Sequence, residues 1–400
     1  MTAGLLAARV VAVPPLESPL GEALPASLHL SIPKTYLLLA PLFTLWDGVT
    51  MLSVTRLQGL LGGLLVLYVL GRLARTAWRR HAWSAGRAPR SPWRQELRLL
   101  AITTGLLLAF VSAGLLWHRP MLALAGLDPD DVAVDFHSHT NVSHDVRHTL
   151  MGRFDTGANL RWHGRAGFDA VFVTDHNTVA GLRPHRGPPA LCPGIEVSAW
   201  KAHIVLLGDS LPVDQRRYNH SIDELRTLLR TSDSVYGALS VASLPEYERN
   251  HWGRLDDLVA AGLGGFEIVN AAPQANEFNR VHRDSVIALA RRTNRFLVGV
   301  TDNHGWGATA LVWNLVRVPG GRGAREGVCP AVLQQLRHGF GAVRIVERHR
   351  LRPDSGWPRW LTPLGVLWDT WRSMGWALTA SWLAWVWLPW VARRRSTPPV

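Results

Sequence analysis

Residues 134–148, VDFHSHTNVSHDVRH, hold four histidines and two aspartates directly after a long apolar run. Imidazole and carboxylate groups at that density are the donors that divalent cations take. His137 and His139 stand two apart, and residues i and i+2 of a strand share a face, so both rings can reach one ion. His144 and Asp145 follow within the same stretch. Further along, VTDHN supplies Asp175 and His176, GIEVS supplies Glu196, AHIVLLG supplies His203, and GVTDNHGWG supplies Asp302 and His304. A single histidine is more often structural than ligating, and His148, His163 and His251 are read that way. The ordered set of pairs is not explained by packing. The chain has 2 cysteines, Cys192 and Cys329, and no CxxC pair, which excludes a thiolate cluster. Their spacing leaves open whether they form a disulfide.

The elements that must position these groups are strand-like runs alternating with helix-like ones. VAVDF, DAVFV, HIVLLG, GALSVAS, GGFEIVNA and RFLVGV read as strands, while SIDELRTLLRT and FNRVHRDSVIALARRT suit helices. Such alternation predicts an α/β fold on a parallel sheet, open or closed into a barrel. The polar residues fall at the C-terminal ends of the strands, the face where parallel α/β folds build their sites.

In order, HSHT, VTDHN, GIEVS with HIVLLG, and TDNHG resemble the polymerase-and-histidinol-phosphatase (PHP) superfamily over about residues 132–318. The resemblance implies a distorted (β/α)7 barrel, two or three divalent metal ions (zinc, manganese or iron), and hydrolysis of phosphate esters by a metal-activated hydroxide. It also implies three cation positions. The first takes His137, His139, Glu196 and Asp302. Glu196 bridges to a second, which also takes His203. The third takes His176, His304 and either His144 or Asp145. Catalysis is assigned to Asp175, His176, Glu196 and His304, with Asp175 orienting a ligand rather than binding metal. The chain departs from the family pattern in one place. Where the family carries another histidine for the second cation, this sequence reads SVASLPEYERNHW, with Ser243 or Leu244 at that place and Glu246 and His251 as possible replacements. Arg161, Lys201 and Arg254 are candidates for phosphate contact, each more readily an ordinary surface charge. Asn177, Asn270 and Asn303 stand where they could shape the pocket.

The net charge of +13 invites a nucleic-acid reading. Residues 119–355 are nearly neutral, however, and the excess flanks the apolar runs, which points to membrane topology and away from a nucleic-acid groove. Segments near 35–54, 57–71, 99–117 and 374–392 are expected to span or nearly span a bilayer, the first weakened by Pro41 and Asp47. Arginines crowd residues 72–98 and follow the last segment at 393–395, so both stretches are expected in the cytoplasm. Three parts result. Residues 1–118 form a membrane region with about three transmembrane helices, 119–355 an extracytoplasmic metallohydrolase domain, and 356–400 a Trp-rich interfacial segment and a final span. The expected setting is a bacterial-type inner or plasma membrane, and the expected partners are the bilayer and a phosphorylated small molecule or envelope substrate. Residues 1–33 do not read as a cleaved signal peptide. Two rival readings stand beside the phosphoesterase: a ligand-binding or scaffold module with altered chemistry, and a metal-dependent amide or ester hydrolase.

Overall fold

The computed structural model describes residues 1–82, 92–208, 212–275, 278–305, 309–321, 327–352 and 356–395. The strands are β1 (Leu16–Glu17), β2 (His29–Ser31), β3 (Ala123–Ala125), β4 (Asp131–Ser138), β5 (Ala170–Val173), β6 (Ala190–Ala199), β7 (Ala202–Gly208), β8 (Ala238–Ala242), β9 (Gly265–Asn270), β10 (Phe296–Val300), β11 (Val312–Arg317) and β12 (Val343–Arg348). Ten of them form one sheet in the order β1-β12-β11-β4-β5-β6-β7-β8-β9-β10, while β2 and β3 pair separately. The sheet curls into a half-barrel that brings β10 back beside β4. That seam is crossed by an isolated bridge between Ser138 and Asn303 and by the Asn314 side chain. Asn314 donates to the carbonyls of Val134 and Gly299 and accepts from the Gly299 amide.

The expected all-parallel sheet is corrected. The β4–β5, β5–β6, β8–β9 and β9–β10 pairs are parallel, but β6–β7, β7–β8, β4–β11 and β11–β12 are antiparallel. The reason at β6–β7 is a tight hairpin whose two central residues, Trp200 and Lys201, both take positive φ (31° and 62°). This sign at both positions matches the right-handed twist of the flanking strands. Because β7 runs backwards, His203 near its start lies at the same end of the sheet as the strand ends of β4 and β5.

Helices pack outside the sheet. In Ile222–Tyr236 the buried residues Leu225, Leu228, Leu229 and Ser232 form one helical stripe. Ser221 accepts from the Glu224 amide at its start, and Gly237 ends it with φ of 60°. β4 is buried along its whole length, with Val132, Val134 and Phe136 in one apolar cluster and Ala133 in another, as expected of a strand covered on both faces. A disulfide joins Cys192 of β6 to Cys329 in the helix Val328–Leu336.

The first apolar segment differs from expectation. Residues 35–54 do not form one span. The run breaks at Leu39 into helices Lys34–Leu38 and Ala40–Thr50. Asp47, which made a span doubtful, is buried in an ion-pair cluster, with Arg119 at 2.6 Å, Arg348 at 2.7 Å and the Tyr36 hydroxyl at 2.7 Å. The second and third segments are extended helices, Val54–Ala82 and Pro92–Leu116. Their apolar stretches, Val54–Arg75 of 22 residues and Trp93–Leu116 of 24, are each long enough to cross a bilayer and are mostly not buried against the protein. At the C-terminus the fourth segment forms the helix Trp376–Arg395, with an apolar run at Trp376–Leu388. The Arg-rich 72–98 stretch is helical over residues 72–82 and 92–98, at the ends of the two long helices, and residues 83–91 lie outside the described residues. The 356–372 segment lies against the first long helix rather than apart from it. A Cβ on Gly59 would stand 2.6 Å from the Arg359 carbonyl, and one on Gly63 would overlap that of Trp360.

Candidate metal centre

β4 delivers His137, His139 follows directly after its last residue, β6 delivers Glu196, and the turn after β10 delivers Asp302 with φ of 44°. The His137 and His139 Nε2 atoms are 3.0 Å apart. Glu196 Oε2 lies 3.1 Å from the first and 3.3 Å from the second. Asp302 Oδ1 lies 3.5 and 3.1 Å from them. Donors of a tetrahedral ion with bonds of about 2.1 Å stand about 3.4 Å apart, so this spacing fits one cation. Asp302 Oδ1 is buried and accepts no hydrogen bond. The His137 ring is fixed from behind, where its Nδ1–H donates to Glu267 Oε1 at 2.7 Å. That directs its Nε2 toward the other donors. Glu267 is fully buried in β9 and is held in turn by the Leu244 amide at 2.8 Å and the Asn270 amide group at 3.0 Å. Asn270 also donates to Asp302 Oδ2 at 3.1 Å.

A second cluster joins Asp145, His176 and His304. Asp145 Oδ2 lies 3.2 Å from His176 Nε2 and 2.6 Å from His304 Nε2. The structure thus favours Asp145 over His144. The His144 ring is exposed and stacks obliquely 4.9 Å from that of His176, without joining the donor group. Ser143 aims Asp145 by donating to its Oδ1 at 2.5 Å. His139 belongs to this group as well as to the first, so the two clusters are contiguous. A third group comprises His176, Glu196 and His203. His203 Nδ1 lies 3.1 Å from Glu196 Oε1, the oxygen not directed at His137.

Of the remaining expected residues, Asn303 lines the cleft beside the donors and the others fall elsewhere. Asp175 does not orient a ligand ring: its two oxygens take the Thr140 amide at 2.5 Å and hydroxyl at 2.7 Å, pinning the loop after β4. His163 is buried beneath the site against Asp135 at 2.9 Å, and His251 faces the Trp200 carbonyl at 3.2 Å. Asn177 clasps Ser198 through both ends of its amide, and Asn303 bonds Thr309 and the Gly305 amide within its own turn. Arg161, Lys201 and Arg254 do not line the cleft, and the last two lie over the faces of Trp200. Glu267 was not anticipated from the sequence, although a lone acid within the apolar run GFEIVN is a signal of it.

The cluster opens into a cleft of about 520 Å³, walled by residues 271–275 and by Glu246. Among the described residues that line it there is no lysine or arginine. Burial alone would lower the His137 and His139 pKa values. The carboxylates around them outweigh it, so His137 is held well above the usual imidazole range and His139 is pushed up to about 10. Glu196 and Asp302 resist burial through the same histidines and sit below the usual carboxylate range. Burial raises Glu267 despite its bond to His137. In the metal-free protein, protons thus hold the positive charge that this donor set demands.

No family model matches the chain, and no curated protein matches it. Among solved structures, a candidate metal-dependent phosphoesterase from Bifidobacterium adolescentis is 16% identical over 44% of this chain and 88% of its own, with a TM-score of 0.32. An amidohydrolase from Chromobacterium violaceum, with bound sulfate and no metal, is 14% identical over 43% of this chain and 87% of its own, with a TM-score of 0.30. PsfC from Pseudomonas syringae is 15% identical over 61% of this chain and 98% of its own, with a TM-score of 0.37. All three are distant likenesses.

Proposed function

We propose that this chain is a metal-dependent hydrolase of phosphate esters. The observation that carries the reading is the convergence of His137 Nε2, His139 Nε2, Glu196 Oε2 and Asp302 Oδ1 at 3.0–3.5 Å, beside further donor groups sharing His139, His176 and Glu196. Divalent cations bound there would polarise a phosphoryl oxygen and acidify water. The chain's own residues do the rest. Glu267 keeps the His137 ring oriented, Asn270 holds Asp302, and Ser143 aims Asp145. Because no lysine or arginine is described in the cleft lining, neutralising a phosphate falls to the bound ions, which sets this site apart from one built around arginine.

The localisation proposed is an integral membrane protein with the catalytic domain outside the cytoplasm. The long apolar helices, largely uncovered by protein, support the anchoring. The Cys192–Cys329 disulfide supports an oxidising compartment. A reporter fused at residue 85 should lie in the cytoplasm, and an external reporter there would overturn this topology.

The test is metal content and turnover of the full chain in detergent. Hydrolysis of an aryl phosphate with two or more bound cations, lost in His139→Ala and Asp302→Ala, is the expected result. Turnover of an aryl ester or amide alone would make it a different hydrolase. Metal without turnover on any of them would make it a binding module.

A further inference from the structure

We propose that Glu246 is the protein ligand that completes the second cation position, in place of the histidine this sequence lacks. The inference rests on the metal-hydrolase reading above and concerns which side chain of this chain serves it. Leu244 is unavailable. Its side chain is buried in the main apolar cluster, its amide donates to Glu267 Oε2 at 2.8 Å, and its carbonyl accepts from Asn270 at 3.2 Å. His251 faces away, toward the Trp200 carbonyl. Glu246, two residues after Leu244, begins the one-turn helix Glu246–Asn250 and lines the cleft.

Its Oε2 stands 3.8 Å from His203 Nδ1, and Glu196 Oε1 stands 3.1 Å from the same nitrogen. These distances bracket the separation of about 3.4 Å expected between donors of one tetrahedral ion. Glu196 is placed to serve two positions, with Oε2 directed at His137, His139 and His176 and Oε1 at His203. Glu246 adds a second carboxylate beside the group of His176, Glu196 and His203. With a second carboxylate in place of an imidazole, the position has harder donors and more negative charge. That favours an oxygen-seeking cation such as Mn²⁺ over Zn²⁺ relative to a two-imidazole site.

The experiment uses the full chain in detergent, stripped with chelator and reloaded with Mn²⁺ or Zn²⁺. Bound metal per chain is measured by mass spectrometry, and folding is checked by circular dichroism. Glu246→Ala should lose one Mn²⁺ equivalent and keep the others, and Glu246→Gln, which preserves shape, should do the same. Wild-type stoichiometry and affinity in both Glu246 variants would overturn the assignment. So would loss of every cation from a variant that remains folded. A wild-type chain that binds no metal would overturn the hydrolase reading as well, an outcome distinct from full wild-type loading unchanged by the Glu246 variants.

Discussion

Glu267 Oε1 lies 2.7 Å from His137 Nδ1, with both side chains sealed from solvent. One buried carboxylate therefore decides which nitrogen of His137 faces the cation position. Glu267→Gln keeps the shape but weakens this orientation, and the expected effect is a loss of about 10–100-fold in metal affinity, the range typical of partners that orient a ligand ring. Competitive titration against a metal indicator checks it.

The metal-free protein should respond to pH through the same cluster. His139, raised to about 10, and His137, also raised, contribute stability fully present below the unfolded imidazole pKa of about 6.5 and lost as pH rises toward 10. Glu196, depressed, contributes stability present above about 4.5 and lost as pH falls through its folded value. Thermal melts of chelator-treated protein should peak between those limits and decline toward pH 10. Metal-loaded protein should decline less, because cations replace the protons.

Loading should also release protons. Calorimetry of Mn²⁺ binding at neutral pH in buffers of differing ionisation heat should show about two protons leaving, from the raised imidazoles. A release near zero would mean that His137 and His139 are not ligands.

Cys192 and Cys329 are 137 residues apart, so their bond closes a long loop. In the chain-entropy account, a loop of that length stabilises by about 5 kcal/mol. Reduction, or Cys192→Ser with Cys329→Ser, should lower the denaturant midpoint accordingly while leaving metal stoichiometry unchanged.

Asp47 is the shared counter-charge of Arg119 and Arg348. Asp47→Ala leaves two cations facing an emptied site and should cost about 3–5 kcal/mol, the range for breaking a buried ion pair. Thermal unfolding in detergent reads it directly.

The two-residue spacing of His137 and His139 exposed the site because strand periodicity alone puts both rings on one face. The choice of Asp145 over His144 was not legible, since it depends on Ser143 aiming the carboxylate at the start of a one-turn helix. The reversed strand β7 escaped detection because its hairpin turns on Trp200 and Lys201, without the glycine or asparagine that usually marks such a turn. Hydropathy made residues 35–54 look like a span. What binds Asp47 is 72 residues away at Arg119 and 301 away at Arg348, beyond the reach of any local pattern.

The disulfide also divides the site in a way that chain order hides. Glu196, His203, Glu246, Asp302 and His304 all lie inside the covalent ring that Cys192 and Cys329 close, while His137, His139, Asp145 and His176 lie outside it. A protease cut anywhere between the two cysteines opens the ring without releasing a fragment, so the nicked chain still runs as one species until it is reduced. A cut between His176 and Cys192 severs one half of the donor set from the other, and no covalent link then holds the centre together.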